Sequence, residues 1–360
     1  MTKKLMIVWL TLLMVLFSSI SIYAEEDIQG DFFEKHIIIN GEEIINYNLQ
    51  YPFFLYNNTT YFPLSPEMQE ILGISAEMDW ESRTLKLLKT ESTRDNISQN
   101  WLKNNNVDPK LNVVSEVKVL AFIEETSGEE QTEGDLIESP KLTVKEVDIE
   151  GRPILSIGKY LFLPVMALAD EEIFNWDIYF DSYYGLCIST IEGTAAQSYC
   201  DAAEALRNRG LVQYMKYKNP TVTTSVAQHY LFLFKRASDV YSVDEELLMA
   251  IASKESTFYR NATSRSGARG LMQIMDTTGA RYGLTVEDLY NEKFNIDFGA
   301  MYISERIAAY GGDLVKGLSA YNQGSSRVNR GTHSTAYADR VINEYNRIGN
   351  YLAANGYVAQ

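Results

Sequence analysis

The C-terminal third of the chain holds four short pieces in order: Glu255-Ser256, Gly270-Leu271-Met272-Gln273, Ala320-Tyr321-Asn322-Gln323-Gly324, and Tyr337 with Arg340-Val341. No single piece is informative. Together they supply one carboxylic acid, a side-chain amide and aromatic rings, the parts of a site that cleaves a sugar chain with a single acid. Leu247, Ile251 and Glu255 recur every four residues, so the carboxyl lies on a helical stripe that buries apolar side chains. A carboxyl held against such neighbours has its charged form disfavoured, and its pKa rises. A general acid working near neutral pH needs that rise. An isolated glutamate here would more readily be an end-of-helix residue turned to water; the surrounding pieces reverse that reading. Gly267 and Gly270 let the backbone turn tightly and approach a ligand. The amide of Gln273 can donate and accept, Met272 suits core or pocket wall, and Tyr321 and Tyr337 offer flat faces with hydroxyls.

These side chains need helices to hold them. From Thr224 onward the pattern predicts helices over 226–241, 295–310, 314–321 and 336–354, with no proline after Pro220. Ser242-Val243-Asp244-Glu245 reads as a capping box that opens the helix carrying Glu255. Asp276-Thr277-Thr278 reads as a helix cap, and Gly324 as a helix stop. Residues 225–360 thus form an all-α domain that is expected to fold and act alone, joined through a linker with one helix at 191–224.

The N-terminal half reads as a small α+β module with an internal repeat. Strand-like runs at 36–40 and 144–149 are followed by the turns Asn40-Gly41-Glu42 and Glu150-Gly151-Arg152. Then come Tyr61-Phe62-Pro63-Leu64 and Leu161-Phe162-Leu163-Pro164, a short helix, and hairpins at Asp79-Trp80-Glu81-Ser82-Arg83 and Phe180-Asp181-Ser182-Tyr183-Tyr184. Between the copies, residues 125–140 read as a polar, acidic surface loop.

Residues 1–24 carry Lys3-Lys4, an apolar run from Leu5 to Phe17 and a small residue at Ala24, the pattern of a signal peptide. A secreted or cell-surface location is expected, with an uncleaved anchor as the alternative. Residues 225–360 hold 14 basic and 14 acidic side chains, whereas residues 25–224 hold 16 and 34. An acidic first half argues against nucleic acid or an anionic membrane as its partner. Cys187 and Cys200 could bridge outside the cell, and the spacing matches no zinc or redox motif. Three scattered histidines, His36, His229 and His333, give no metal site, and no cofactor is implied.

Glu-Ser-x-Phe at 255–258, the run Ser264 to Met275, Asn-Ile-x-x-Gly-x-x-Tyr at 295–302, Ala-Tyr-Asn-x-Gly at 320–324 and Tyr-x-x-Arg-Val at 337–341 resemble the soluble lytic transglycosylase family. The resemblance covers about residues 225–350 and implies a goose-type lysozyme-like fold. It implies Glu255 as the catalytic acid/base, and Ser256, Met272, Gln273, Tyr321, Asn322 and Tyr337 as substrate-binding positions. The implied partner is the peptidoglycan glycan strand. The implied reaction cleaves the bond from N-acetylmuramic acid to N-acetylglucosamine and leaves a 1,6-anhydromuramoyl end. Asp276 and Gly279 depart from the family's usual Pro and Ala, and no acid precedes Tyr337 in Thr332-His333-Ser334-Thr335. Residues 30–190 resemble the copper amine oxidase N-terminal-like domain, which implies neither copper nor an oxidase but a cell-wall or protein-interaction module. Two rival readings stand beside this one: a hydrolase of the same fold, with Asp276, Asp297 or Asp339 as second acid, and a catalytically silent wall-binding protein.

Overall fold

Period-two alternation in the first half and helical stripes in the second divide the chain into two units. The first holds the residues up to Tyr179 together with Cys187–Tyr199; the second holds Phe180–Leu186 and Cys200–Gln360. The computed structural model describes residues 27–90, 92, 110–124 and 142–358. The expected signal peptide at 1–24 and acidic loop at 125–140 lie outside them. Among the described residues, no helix is long and apolar enough to cross a membrane.

The first unit is rich in sheet. One sheet has seven strands, in the order Asp27–Gln29, Lys110–Val114, Ile154–Ile157, Tyr160–Pro164, Thr59–Pro63, Phe54–Tyr56 and Asp31–Phe32. Its buried cluster is Phe54, Tyr61, Leu111, Leu155 and Phe162, with Phe54 stacked on Tyr61 at 5.5 Å. A four-stranded sheet runs Leu142–Glu146, Lys118–Glu124, Thr84–Lys89 and Ile74–Asp79. The hairpin between the last two closes where Asp79 Oδ1 accepts from the Glu81 and Ser82 amides. Helix α1, Pro66–Leu72, starts with Ser65 accepting from Met68 N and stops at Gly73, φ +63°.

The second unit is helical. Its main helices are α2 (Ala202–Lys218), α3 (Thr224–Tyr241), α4 (Glu245–Glu255), α5 (Asp276–Arg281), α6 (Glu292–Ala309), α7 (Leu314–Gln323), α8 (Ser325–Asn329) and α9 (Ala336–Ala354). Short polar side chains open several of them. Asp201, Thr223, Asn291 and Asp313 accept from amides of the first turns of α2, α3, α6 and α7. Two expected caps are corrected. Ser242 sits in the left-handed region at φ +53° and ends α3, so it cannot also open α4; Asp244 does that, accepting from Leu247 N at 3.0 Å. Asp276 does not cap α5, because its carboxylate is drawn into an ion pair with Arg269 and Met275 stands at the cap.

The boundary expected at residue 225 also moves. α2 lies inside the helical unit, and its Leu211, Val212, Tyr214 and Met215 are fully buried in the core formed with α3, α4 and α9. Polar contacts fasten it as well: Arg207 reaches Glu246 at 2.8 Å and also pairs with Glu245 in the first turn of α4.

The tightest polar knot lies under α9. Glu344, 1% exposed, accepts at Oε1 from Tyr214 OH (2.7 Å), Lys218 Nζ (2.7 Å) and Ser253 Oγ (2.6 Å), and at Oε2 from Arg347 (2.8 Å). Burial pushes its carboxyl up, but the hydrogen bonds from Lys218, Ser253 and Tyr214 outweigh it and hold the pKa at about 2.

Two outcomes follow. A 225–360 fragment, deprived of Tyr214, Lys218 and the apolar face of α2, should melt well below a 200–360 fragment in circular dichroism; equal melting temperatures would restore the boundary at 225. Glu344→Gln, which leaves the half-buried Lys218 ammonium without this counter-ion, should destabilise the helical unit by about 3 kcal/mol at neutral pH, the scale of a carboxyl held about two pKa units low. An unfolded glutamate titrates near about 4.3. The stability Glu344 adds is therefore complete above that value and lost as pH falls towards about 2. Denaturation across pH should show the gap between the two proteins closing over this window.

Candidate active site

Glu255 is the last residue of α4, where Leu247, Leu248 and Ile251 of the same helix are buried. Tyr337, in the first turn of α9 and 5% exposed, donates its hydroxyl to Glu255 Oε1 at 2.6 Å. Burial raises the carboxyl's pKa above the ordinary glutamate value, against the lowering pull of the Tyr337 hydrogen bond and of Arg340. The Tyr337 hydroxyl is itself pushed far up, first by burial and then by the nearby Glu255. It therefore stays a donor. Arg340 lies 5.8 Å from the Tyr337 ring centroid, one turn further along α9.

Aromatic rings line up away from this pair. Tyr321 on α7 is parallel to Tyr337, with centroids 6.5 Å apart and planes at 11°. Behind it come Tyr302 at 5.6 Å and then Phe298, stacked on Tyr302 at 5.9 Å. Tyr321 is fixed by donating its hydroxyl to the backbone carbonyl of Met272 at 2.8 Å. Asn322 is exposed at the end of α7. Ser256, just past Glu255, turns its hydroxyl back onto Ala252 O at 3.1 Å.

The loop between α4 and α5 is pinned from below. Asn295, buried in the first turn of α6, accepts from Met272 N at 2.7 Å and donates to Arg269 O and Leu289 O. Gly270, φ +76°, lies so close that an added Cβ would come 2.3 Å from Leu289 O and 2.4 Å from Asn295 Nδ2. Gly299 leaves room for Met272, whose side-chain atoms lie 2.8 Å from where a Cβ would stand. The side chain of Met272, one of the expected substrate-binding positions, is fully buried and belongs to the core, which leaves its backbone as the part able to meet a ligand. Met272 serves the site through its backbone carbonyl.

Gln273 is also narrower in its options than its residue type allows. At φ +50° its amide nitrogen donates to Ala262 O and Gly270 O, both at 3.1 Å. Only its carbonyl oxygen remains to meet a ligand, as an acceptor.

The structure brings Glu255, Tyr337 and Tyr321 together, and Gln273 directly follows Met272, whose carbonyl accepts from Tyr321. The candidate second acids are occupied elsewhere. Asp276 is held by Arg269 at 2.5 and 2.8 Å, which depresses its pKa. Asp297 pairs with Arg236 at 2.6 Å and with Lys293 at 3.5 Å. Asp339 is exposed and takes a hydrogen bond from Thr335. Among the described residues, no cluster of three His, Cys, Asp or Glu side chains is placed to hold a metal ion. The supporting roles of Asn295 and Glu344 escaped sequence reasoning. Asn295 stood in a recognisable motif, but nothing in its type said which backbone groups it would bind; Glu344 gave no signal.

Residues 232–342 match the family model described as "Transglycosylase SLT domain". The chain is 33% identical over 162 residues to a membrane-bound lytic murein transglycosylase C of Histophilus somni, covering 40% of this chain and 44% of that protein. It is 34% identical over 110 residues to the transglycosylase of Enterobacteria phage PRD1, covering 31% and 40%. The chain therefore spans less than half the length of these relatives. The 70 kDa soluble lytic transglycosylase of Escherichia coli aligns at 23% identity and a TM-score of 0.29, over 45% of this chain and 32% of that one. The matched segment encloses Glu255, Gln273, Tyr321 and Tyr337, and leaves α2 and the last part of α9, from Ile342 onward apart from that one residue, outside it.

Proposed function

We propose that the helical unit is a peptidoglycan lytic transglycosylase that cleaves the β-1,4 bond between N-acetylmuramic acid and N-acetylglucosamine and leaves a 1,6-anhydromuramoyl end. The observation that carries this reading is the contrast among carboxyls. Glu255 is half-buried with its pKa raised and one hydroxyl for a partner, while Asp276 and Asp297 are locked to cations. Of the three candidate second acids, Asp339 alone has no cation against it; it is exposed and takes a hydrogen bond from Thr335.

In the first step neutral Glu255 gives its proton to the glycosidic oxygen as the bond from C1 breaks. The muramoyl 2-acetamido oxygen covers C1 from the opposite face, which removes the need for a second carboxylate. The hydrogen bond from Tyr337 then stabilises the Glu255 carboxylate. In the second step that carboxylate takes the proton of the sugar's own 6-hydroxyl, whose oxygen closes onto C1. The parallel rings of Tyr321 and Tyr337 offer apolar faces for sugar rings. Gln273 offers an acceptor to an N–H or O–H of the substrate, and Ser256 and Asn322 stand at the edge of the same site.

For the first unit we propose a copper amine oxidase N-terminal-like module over residues 30–190, built from two copies of one motif and serving as a wall- or protein-binding element. Support comes from the hairpins that end at Pro63 and Pro164. Their inner strands pair antiparallel, with Pro63 opposite Phe162 and Tyr61 opposite Pro164. Each is followed by a short helical segment, Pro66–Leu72 or Val165–Leu168. A signal peptide at 1–24 would carry the chain out of the cytoplasm to its substrate.

Mass analysis of products from purified wall tests the reaction: anhydro ends are expected, and free reducing ends would mean a hydrolase. Glu255→Gln should fold normally and lose activity by about 10²- to 10⁴-fold, the usual scale for a general acid. Asp276→Asn should keep most of the activity, since the Arg269–Asp276 pair is open to solvent and its attraction is screened. A folded Asp276→Asn as inactive as Glu255→Gln would sink the one-acid mechanism.

Because Glu255 works protonated and burial raises its pKa, activity should persist above the ordinary glutamate range and fall as pH rises through the raised value. The basic limb of the pH–rate profile measures this. A flat profile continuing into strongly alkaline solution would contradict a carboxyl donor.

A further inference from the structure

We infer that Glu344 is a positioning residue for Glu255: through Ser253 it sets the seat of α9 on α4 that aims Tyr337 at the acid, and α2 takes part by supplying Tyr214 and Lys218. The inference rests on the proposed role of Glu255 as acid and adds to it a support that the matched segment 232–342 does not contain.

Two short hydrogen bonds join α4 to the buried face of α9, beside the longer Lys254–Glu344 pair at 3.8 Å and a side-chain hydrogen bond between Tyr345 and Asp244 at the head of α4. Tyr337 donates to Glu255 at 2.6 Å, and Ser253 donates to Glu344 at 2.6 Å. On α4 the tied residues are near neighbours. On α9 they are two turns, about 10 Å, apart. Tyr337, Val341, Glu344 and Ile348 follow one another at helical spacing along one face, and all four are buried. Apolar contacts such as those of Val341 and Ile348 are non-directional and tolerate small slides. A hydrogen bond at 2.6 Å does not. Two such ties set the separation and the rotation of one helix on the other at the Glu255 end; without the Ser253 bond, the longer Lys254–Glu344 pair and the Tyr345–Asp244 contact are left to oppose a turn about the Tyr337–Glu255 bond.

Glu344 is suited to be the fixed point. It is tied to three helices at once: to α2 through Tyr214 and Lys218, to α4 through Ser253, and to its own α9 through Arg347. Lys254, also on α4, lies 3.8 Å from it. A buried ion pair is poor evidence for stability as such, and its better-supported use is to specify one arrangement. The arrangement specified here includes the contact that tunes the acid. The groups acting on Glu255 are Tyr337 and Arg340 from α9 and Tyr321 from α7. Of these, only Tyr337 bonds it directly.

Ser253→Ala tests this without altering any charge, and alanine favours the helix. In the full chain, the Glu255 side-chain carboxyl is followed by carbon-13 NMR across pH. If Glu344 positions Tyr337, Ser253→Ala weakens the Tyr337 bond that lowers the acid's pKa, and Glu255 titrates at higher pH than in the unaltered protein. Turnover on solubilised glycan strands should fall about tenfold with KM little changed, as expected for a misaimed group. Tyr337→Phe should shift the titration in the same direction, and adding Ser253→Ala to it should shift it no further. Tyr214→Phe, a second charge-neutral change made from α2, should act in the same direction.

A folded Ser253→Ala protein with unaltered titration and turnover overturns the inference, and so do shifts that simply add to those of Tyr337→Phe. The titration needs no substrate. Failure to find anhydro products would therefore remove the proposed reaction while the titration still decides the role of Glu344.

Discussion

A carboxyl that is to keep its proton near neutral pH must be withdrawn from water and kept away from cations. Glu255 meets the first condition by ending a helix whose other inward positions are leucine and isoleucine. The cation that acts on it is Arg340, whose guanidinium stands 5.8 Å from the Tyr337 ring centroid. Arg340 does lower the acid's pKa, but burial is the larger effect.

Two carboxyls on adjoining helices show how environment divides one residue type into two roles. Glu255 and Glu344 both belong to the interface of α4 and α9. One meets a phenol and apolar walls and is pushed up; the other meets an ammonium, two hydroxyls and a guanidinium and is pushed down. Burial acts in the same direction on both. The number and charge of the hydrogen-bond donors decides the outcome.

Much of the site was legible in the sequence because its parts are local. The stripe of Leu247, Ile251 and Glu255 follows from helix geometry, and the glycine turn before Gln273 follows from backbone sterics. The rest depends on which side chain meets which across the fold. Ser242 looked like the opening of α4 by its spacing to Glu245, but its backbone had been claimed by the end of α3. Asp276 looked like a cap until Arg269, seven residues earlier, was folded back beside it by the Ala268–Arg269 and Ile274–Met275 pairing. α2 was readable as a helix but not as part of the helical unit; only packing showed Leu211, Val212 and Met215 to be core. In the first unit the strands about Pro63 and Pro164 were readable from alternation and turns, whereas Lys110–Val114 and Lys118–Glu124 were not, and neither was the order of the strands, which long-range pairing sets.

Gln273 combines two duties that are usually separate. Its left-handed backbone is a conformation that costs a non-glycine residue about 1–2 kcal/mol, and its own side-chain nitrogen ties that backbone down at Ala262 and Gly270. The part of the loop that would face a ligand is therefore also the peg that keeps the loop in shape. Such a position resists retuning. Asparagine tolerates the backbone but is one methylene short of the two carbonyls; glycine relieves the strain but has nothing to tie with; glutamate offers no N–H at all. A change of ligand preference at this loop would have to come from rings that do not hold its backbone, which leaves out Tyr321, whose hydroxyl is bonded to the Met272 carbonyl.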